Sequence, residues 1–541
     1  MNAAQNSTDQ EFTNTVSVAD ALWLHRPDIV EEVQQLRQRF SIKNLCIADV
    51  LCDKHPSDAM AFLIVDNELN TQRLTFGQLA DKSKRLASAL AEQGIGLGDR
   101  VGVLMGKSVQ LPIVLLALWR LGAVHVPLFT AFAGEAISMR VNSAQAKLII
   151  ADQDQQPKLS DIDIPVLDTG ESIDQLVNSY KPLETSAEIG PEGVFIQLYT
   201  SGTTGAPKGV PVPAFAIAAF EAYMHYGLDL QPDDIYWNLA DPGWAYGLYF
   251  AIVGPLALGH ASIMLTSGFS TELTADVLNR FEVTNLTGSP TVYRAMKKDG
   301  IRLDRPLRVV SSAGEPLTPD VVSWAPDVLG SEVRDHWGQT EHGMAIVNPW
   351  DSRLRGPVPD GSMGSAMPGF VAGTVGQSIA LSVEDSPLIW FDGYIDEPEK
   401  TQERYTEDGQ WYLTGDIGRS EHGNFYFASR DDDVMLAAGY RIAPFDIERI
   451  IAADASIAEV AVVGRPDEIR GEVIEAFVVL ADRASTDGLV ERLQQAVRET
   501  YGAHAYPRKI HVVRELPKTP SGKVQRYVLR EADDAAIIEL G

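Results

Sequence analysis

The chain has 541 residues, more than one hydrophobic core usually serves, so two or more domains are expected. Its 45% apolar content is that of an ordinary globular protein. The net charge of −29, from 45 basic and 74 acidic residues, repels nucleic acid and anionic membrane surfaces and leaves small molecules as the expected partners, with anions held in locally basic pockets.

The polar start MNAAQNSTDQEFTN lacks the apolar core of a signal peptide. IVEEVQQLRQRF (29–40) and TFGQLADKSKRLASALAEQG (75–94) have helical texture. Cys46 and Cys52 are the only cysteines, too few for a disulfide framework or a zinc cluster, so a reducing cytoplasm is the expected setting. RVGVLM, AVHVPL, KLIIAD, ASIML and LRVVSSA are short, apolar and β-rich, and helical stretches lie between them. LPIVLLALWRLGAVHVPL (111–128) is broken by Arg120 and a turn at Gly122, which makes it a buried helix followed by a strand and not a membrane span. This alternation predicts layered α/β subdomains with largely parallel sheets. Beyond residue 425 the texture changes. EVAVVG, VIEAFVVL and KIHVVREL are strand-like, with a helix in TDGLVERLQQAVRETYG before the third. The expected division is a large α/β domain over 1–431 and a small α+β domain over 432–541, with the run Asp431–Asp433 at the junction.

Four familiar patterns fail. GVLMGKS (102–108) is one residue short of a Walker A loop, and GIGLGD (94–99) follows a helix where a dinucleotide fold needs a strand. Neither G-x-S-x-G nor H-E-x-x-H occurs, so serine-hydrolase and zincin chemistry lack support.

The strand-like run VFIQLY leads into YTSGTTGAPKG (199–209). Glycines there let backbone amides turn around an anion. Thr200, Ser201, Thr203 and Thr204 add hydroxyl donors, and Lys208 adds a mobile cation. The segment has the makeup of a phosphate-binding loop, with a spacing unlike that of the P-loop enzymes.

YTSGTTGAPKG resembles the signature loop of the adenylate-forming superfamily. Other pieces follow in that family's order: GEP (314–316), HWGQTEHG (336–343), YLTGDIG (412–418), SRDDDVMLAAGYRIAPFDIE (429–448) and PKTPSGKVQR (517–526). The resemblance runs from about residue 45 almost to the C-terminus. It implies a mobile C-terminal domain and a two-step ligase reaction: a carboxylic acid and ATP give acyl-AMP and pyrophosphate, then coenzyme A takes the acyl group and AMP leaves. It also implies the site residues. Thr200, Ser201, Gly202, Thr203, Thr204, Gly205 and Lys208 would wrap the β- and γ-phosphates. Trp337 would lie against the adenine, with Gly314, Glu315 and Pro316 in the same slot and His336, Gly338 and Gln339 beside it. Thr340 would donate to the α-phosphate, and Glu341 would help hold Mg²⁺. Asp416 would accept the ribose hydroxyls, with Arg430 and Arg441 near ribose and phosphate. Lys523 would bridge the attacking carboxylate and the α-phosphate. Asp432 would be the hinge of a domain rotation that brings Ala438, Gly439 and Tyr440 to the thioester step. Ser429 and Leu436 depart from the family's usual residues around the hinge.

DPGWAYG (241–247), RGEV (470–473) and YPRKI (506–510) are most similar to the medium-chain acyl-CoA synthetase branch. There Arg470, Tyr506, Pro507 and Arg508 lie near coenzyme A. The resemblance places Trp244, Ala245, Tyr246, Ala313 and Gly338 in the acyl pocket. Acetyl-CoA synthetases carry tryptophan at the position of Gly338 and valines at those of Ala245 and Ala313. The expected acid is therefore a C4–C8 straight, branched or aromatic one, although Tyr246 shortens or reshapes the tunnel. The rival readings are an acetyl- or propionyl-CoA synthetase and a non-catalytic nucleotide-binding relative. The sequence is compatible with a homodimer.

Overall fold

The computed structural model describes residues 16–200, 207–430, 433–437, 440–467, 471–481, 484–502, 505–518 and 524–532. Two largely parallel sheets form the frame of the N-terminal domain. In the six-stranded sheet, Val166–Asp168, Leu148–Ala151, Arg100–Leu104, Val124–Pro127 and Val194–Thr200 run parallel, and Lys208–Pro213 closes one edge antiparallel. In the nine-stranded sheet the parallel centre is Arg334–Gln339, Val309–Ala313, Asn285–Gly288, Tyr236–Asn238, Ser262–Leu265 and Met60–Val65. The central strands are buried on both faces, which is why they read as short unbroken apolar runs.

The helices follow the sequence signals. Phe76–Glu92 starts in a capping box, with Thr75 accepting from the Gln78 amide and Gln78 accepting from the Thr75 amide. Gln110–Arg120 is buried along nearly its whole length and ends before Gly122, whose φ of 67° makes the expected turn. Arg120 is fully buried, and its guanidinium meets Asp53 at 2.6 and 2.9 Å. That pairing lets a charged residue end a core helix. Among the described residues, no helix is long and apolar enough to cross a membrane.

Two features depart from the sequence reading. A five-stranded antiparallel sheet, ordered Val16–Val18, Ala372–Val375, Ser378–Ser382, Trp411–Glu421, Asn424–Arg430, packs beside the parallel ones. And Lys208 is not in a loop. It starts a strand and pairs with Thr200, so both described ends of the segment are strand residues.

The C-terminal domain has its own core around Ile447, Val462, Ile474, Leu493 and Val497. Ile457–Asp467 and Gly471–Leu480 form its long hairpin, Lys509–Val512 adds in parallel, and Leu489–Thr500 is the expected helix.

Candidate active site

Most described N-terminal site residues follow the C-terminal ends of parallel strands: Trp244 after Tyr236–Asn238, Gly314 after Val309–Ala313, Thr340 after Arg334–Gln339. That edge of a parallel sheet is where ligands collect.

Lys208 lies 4.3 Å above the Tyr394 ring. Tyr394 donates to Glu341 Oε1 at 2.8 Å and accepts from Arg404 Nε at 3.2 Å. Arg404 is fixed in turn by the Thr414 carbonyl at 3.2 Å, and Tyr249 holds the Thr340 carbonyl at 3.0 Å. Burial and the charges of Arg404, Lys400 and Arg430 pull the Lys208 pKa down, against the pull of Glu341. The hairpin base thus sits in a cluster of cations inside an acidic protein. Thr200 Oγ1 is buried beside it without a hydrogen-bond partner. Ser201, Gly202, Thr203, Thr204 and Gly205 lie outside the described residues.

Asp416 is nearly buried, and its carboxylate is the centre of the next group. Oδ2 accepts from Trp337 Nε1 at 2.8 Å and Gln339 Nε2 at 3.1 Å. Oδ1 lies 2.9 Å from Arg430, its cross-strand neighbour. Trp337, Gln339, Asp416 and Arg430 are therefore one unit. Glu315 is held apart from it: its carboxylate is tied to Thr291 and to Arg294 at 2.9 Å, on the helix Pro290–Lys298. Gly314, with φ of 94°, makes the turn before it.

Trp244 packs against Phe129 and Phe132, with ring centroids 5.2 and 5.4 Å away. Ala313 pairs with His336 in the sheet. The His336 ring meets the Tyr223 hydroxyl, which meets the Tyr246 hydroxyl, so Tyr246 is linked to the strand that pairs with Ala313. Gly338 has a reason beyond pocket size. A β-bulge brings the opposing strand so close that a Cβ there would lie 2.1 Å from the Gly343 carbonyl oxygen.

In the C-terminal domain, the Tyr506 ring lies against two guanidiniums, Arg498 at 3.8 Å and Arg508 at 4.0 Å. The neighbouring Pro507 carbonyl accepts from Gln494 at 2.9 Å. Asp432, Ala438, Gly439, Arg470 and Lys523 lie outside the described residues, and Tyr440 and Arg441 stand on the strand Tyr440–Ile442. Val524, next to Lys523 in sequence, bridges Lys518.

The sequence reading missed Tyr394, Lys400, Arg404, Arg498 and Asp335. The first three sit in GYIDEPEKTQER, a polar stretch with nothing to set it apart from a surface turn. Asp335, paired with Ser312, has a buried Oδ1 without a hydrogen-bond partner, and burial holds its pKa well above the usual carboxylate range.

Residues 49–377 match the family model described as AMP-binding enzyme, and residues 446–523 match that described as AMP-binding enzyme C-terminal domain. The chain is 31% identical to the acetyl-coenzyme A synthetase of Bacillus subtilis, with 85% of each chain covered. It is 32% identical to the mitochondrial acyl-coenzyme A synthetase ACSM4 of Mus musculus over 85% of this chain and 84% of that one. The crystal structure of an acyl-CoA synthetase from Brucella canis superposes with a TM-score of 0.73 at 38% identity, covering 95% of this chain and 99% of that one.

Proposed function

Since the chain belongs to the AMP-binding enzyme family and is an ATP-dependent, AMP-forming acyl-CoA ligase, we propose that it converts a C4–C8 carboxylic acid to its coenzyme A thioester with the residues assembled above. In the first step a carboxylate oxygen attacks the α-phosphorus and pyrophosphate leaves. Lys208 and Arg404 face the departing phosphates, with Thr200 beside them and Ser201, Gly202, Thr203, Thr204 and Gly205 completing the phosphate contacts. Thr340 donates to the α-phosphate. Trp337 lies against the adenine, and the spare Asp335 oxygen meets its amino group. A ribose hydroxyl replaces Arg430 on Asp416 Oδ1. Lys523 stabilises the charge that develops between carboxylate and phosphate.

Glu341 is 6% exposed, and Tyr394 holds one of its oxygens. One protein carboxylate beside phosphate oxygens suits Mg²⁺, so the residues fit that ion. Glu341 would hold the ion, which when bound would supply positive charge against the phosphates.

In the second step the coenzyme A thiol, deprotonated, attacks the acyl carbon and the bond to AMP breaks. Arg470, Arg508 and the Tyr506–Pro507 segment meet its phosphates, and Ala438, Gly439 and Tyr440 line the thiol's path after rotation about Asp432. Arg441 addresses the nucleotide phosphate. Two anchors support a boundary there: Arg430 is held by Asp416, while Asp433 is held by Arg526 and Arg530 of the C-terminal domain.

The observation that carries the chain length is the pocket wall, where Ala245 and Ala313 are small and Trp244 is flanked by Phe129 and Phe132. Each added buried methylene contributes about 0.8 kcal/mol. Pyrophosphate release is measured with acetate through octanoate, isobutyrate and benzoate, with and without coenzyme A. The expected optimum in kcat/KM lies beyond propionate and depends on coenzyme A. Acetate outperforming both butyrate and hexanoate overturns the assignment.

A further inference from the structure

Tyr246 is one end of a buried polar chain. Its hydroxyl lies 2.8 Å from that of Tyr223, which lies 2.7 Å from His336 Nδ1. His336 Nε2 lies 3.0 Å from the Asn348 carbonyl oxygen. The direction of this chain is set at its far end. A carbonyl only accepts, so Nε2 carries the hydrogen. Burial lowers the His336 pKa to about 3, so the ring is neutral and Nδ1 is a bare lone pair. Tyr223 therefore donates to Nδ1, its oxygen accepts, and Tyr246 donates to Tyr223. The hydrogen of the Tyr246 hydroxyl is committed inward. Tyr223 and His336 are buried, whereas Tyr246 keeps partial exposure. Toward the pocket, Tyr246 presents an oxygen that accepts and does not donate.

We propose that the acid carries a hydroxyl on its chain or ring, and that Tyr246 selects it by accepting its hydrogen. This rests on the placement of Tyr246 in the acyl pocket. A hydroxyl suits the site better than an ammonium, because the titratable groups that act most strongly on Tyr246 are the tyrosines Tyr223, Tyr236 and Tyr293, which are neutral. A site that pairs with a substrate hydroxyl rejects the analogue lacking it far more strongly than a site that counts methylenes.

The test compares kcat/KM for coenzyme-A-dependent pyrophosphate release among plain, hydroxylated and methoxylated forms of the same acids. Hydroxyls are placed at each carbon beyond C2 of butyrate to hexanoate, and around the ring of benzoate. One hydroxylated acid should exceed both its plain and its methoxy counterpart by about 10-fold or more. Tyr246→Phe should bring the hydroxy-to-plain ratio near one while the plain acids still react. Tyr223→Phe frees the Tyr246 hydrogen to point into the pocket, so preference should move from the hydroxy acid toward the methoxy acid. Good turnover of plain acids with every hydroxylated form slower overturns the hydroxyl proposal and leaves the ligase assignment standing. Ratios unchanged in both variants overturn it as well. No release with any acid overturns the assignment of function together with it.

Discussion

Among the described residues the Tyr394 hydroxyl holds Glu341 in place, and that makes Tyr394 a positioning residue. Its ring carries Lys208, its oxygen takes Arg404, and its hydrogen fixes one carboxylate oxygen. Tyr394→Phe keeps the ring under the lysine and removes the two hydrogen bonds. Bonds to charged groups are typically worth about 1.5–3 kcal/mol, so kcat/KM should fall roughly 10- to 100-fold. The loss should shrink as Mg²⁺ is raised, because a free carboxylate still binds the ion, only less well. An Mg²⁺ titration of pyrophosphate release checks this, and an unchanged half-saturation point would count against the role. Lys208 gives a pH signature. Burial first, then its cationic neighbours, depress its pKa below the ordinary 10.5. A lysine is charged below its pKa, so the free enzyme should lose its phosphate-facing charge, and with it kcat/KM for ATP, before pH 10.5 is reached. Lys208→Arg keeps its charge through that range and should shift the alkaline limb upward even if it lowers the plateau. A limb that stays in place assigns the titration to another group.

Two elements shape the site more than any one residue does: the hairpin Val194–Pro213 and the bulged strand pair Arg334–Gln339 with Gly343–Val347. The bulge between Trp337 and Gly338 turns Trp337 toward Asp416 and brings the facing backbone close. Gly338→Ala must push that backbone away, which overpacking data put at about 1–3 kcal/mol. Its thermal unfolding midpoint should drop by a few degrees, and KM for ATP should rise, since Trp337 shifts with the strand. A midpoint and a KM equal to wild type would return Gly338 to a role in pocket size alone. The limits of the sequence are visible here. The parallel strands were legible because burial on both faces leaves local apolar runs, and the helix Gln110–Arg120 because its apolar run is long. Trp337, Gln339 and Asp416, which the structure brings together, were legible as candidates because each lies within a short motif. The five-stranded antiparallel sheet was not, because its strands Ala372–Val375 and Ser378–Ser382 are short and rich in small residues, and its edge Val16–Val18 comes from the other end of the sequence. The chain from Tyr246 to His336 was illegible for a similar reason: hydrogen bonds between distant segments leave no local period. Arg404 and Tyr394 matter only because strand Trp411–Glu421 and the loop before it fold over Glu341.

At the scale of the whole molecule, one site must run two reactions with different partners. The first brings a carboxylate to a triphosphate and needs cations. The second brings a thiol to an acyl-adenylate and needs an open path. In the proposed assignment Lys523 serves the first step and the segment Ala438–Tyr440 the second, so a rigid arrangement would leave one of them unserved. Arg430 is paired with Asp416 of the large domain and Asp433 with Arg526 and Arg530 of the small one, which supports the proposed turning point at Asp432. Two substitutions separate the steps. Lys523→Ala removes the charge that meets the developing phosphate transition state, so ATP–pyrophosphate exchange should fall by about 10²-fold or more. Thioester formation from supplied acyl-AMP should hold within a few-fold. Asp432→Pro fixes φ near −65° at the turning residue. It should leave exchange near wild type if the fixed pose is that of the first step, and slow thioester formation from acyl-AMP by at least about 10-fold. The reverse pattern is expected if proline holds the second pose, and either pattern places the hinge at Asp432. Both half-reactions running at wild-type rates in Asp432→Pro would move the turning point elsewhere in the chain. Equal losses in both half-reactions of Lys523→Ala would mean that this lysine supports the fold of the small domain more than the chemistry of the first step.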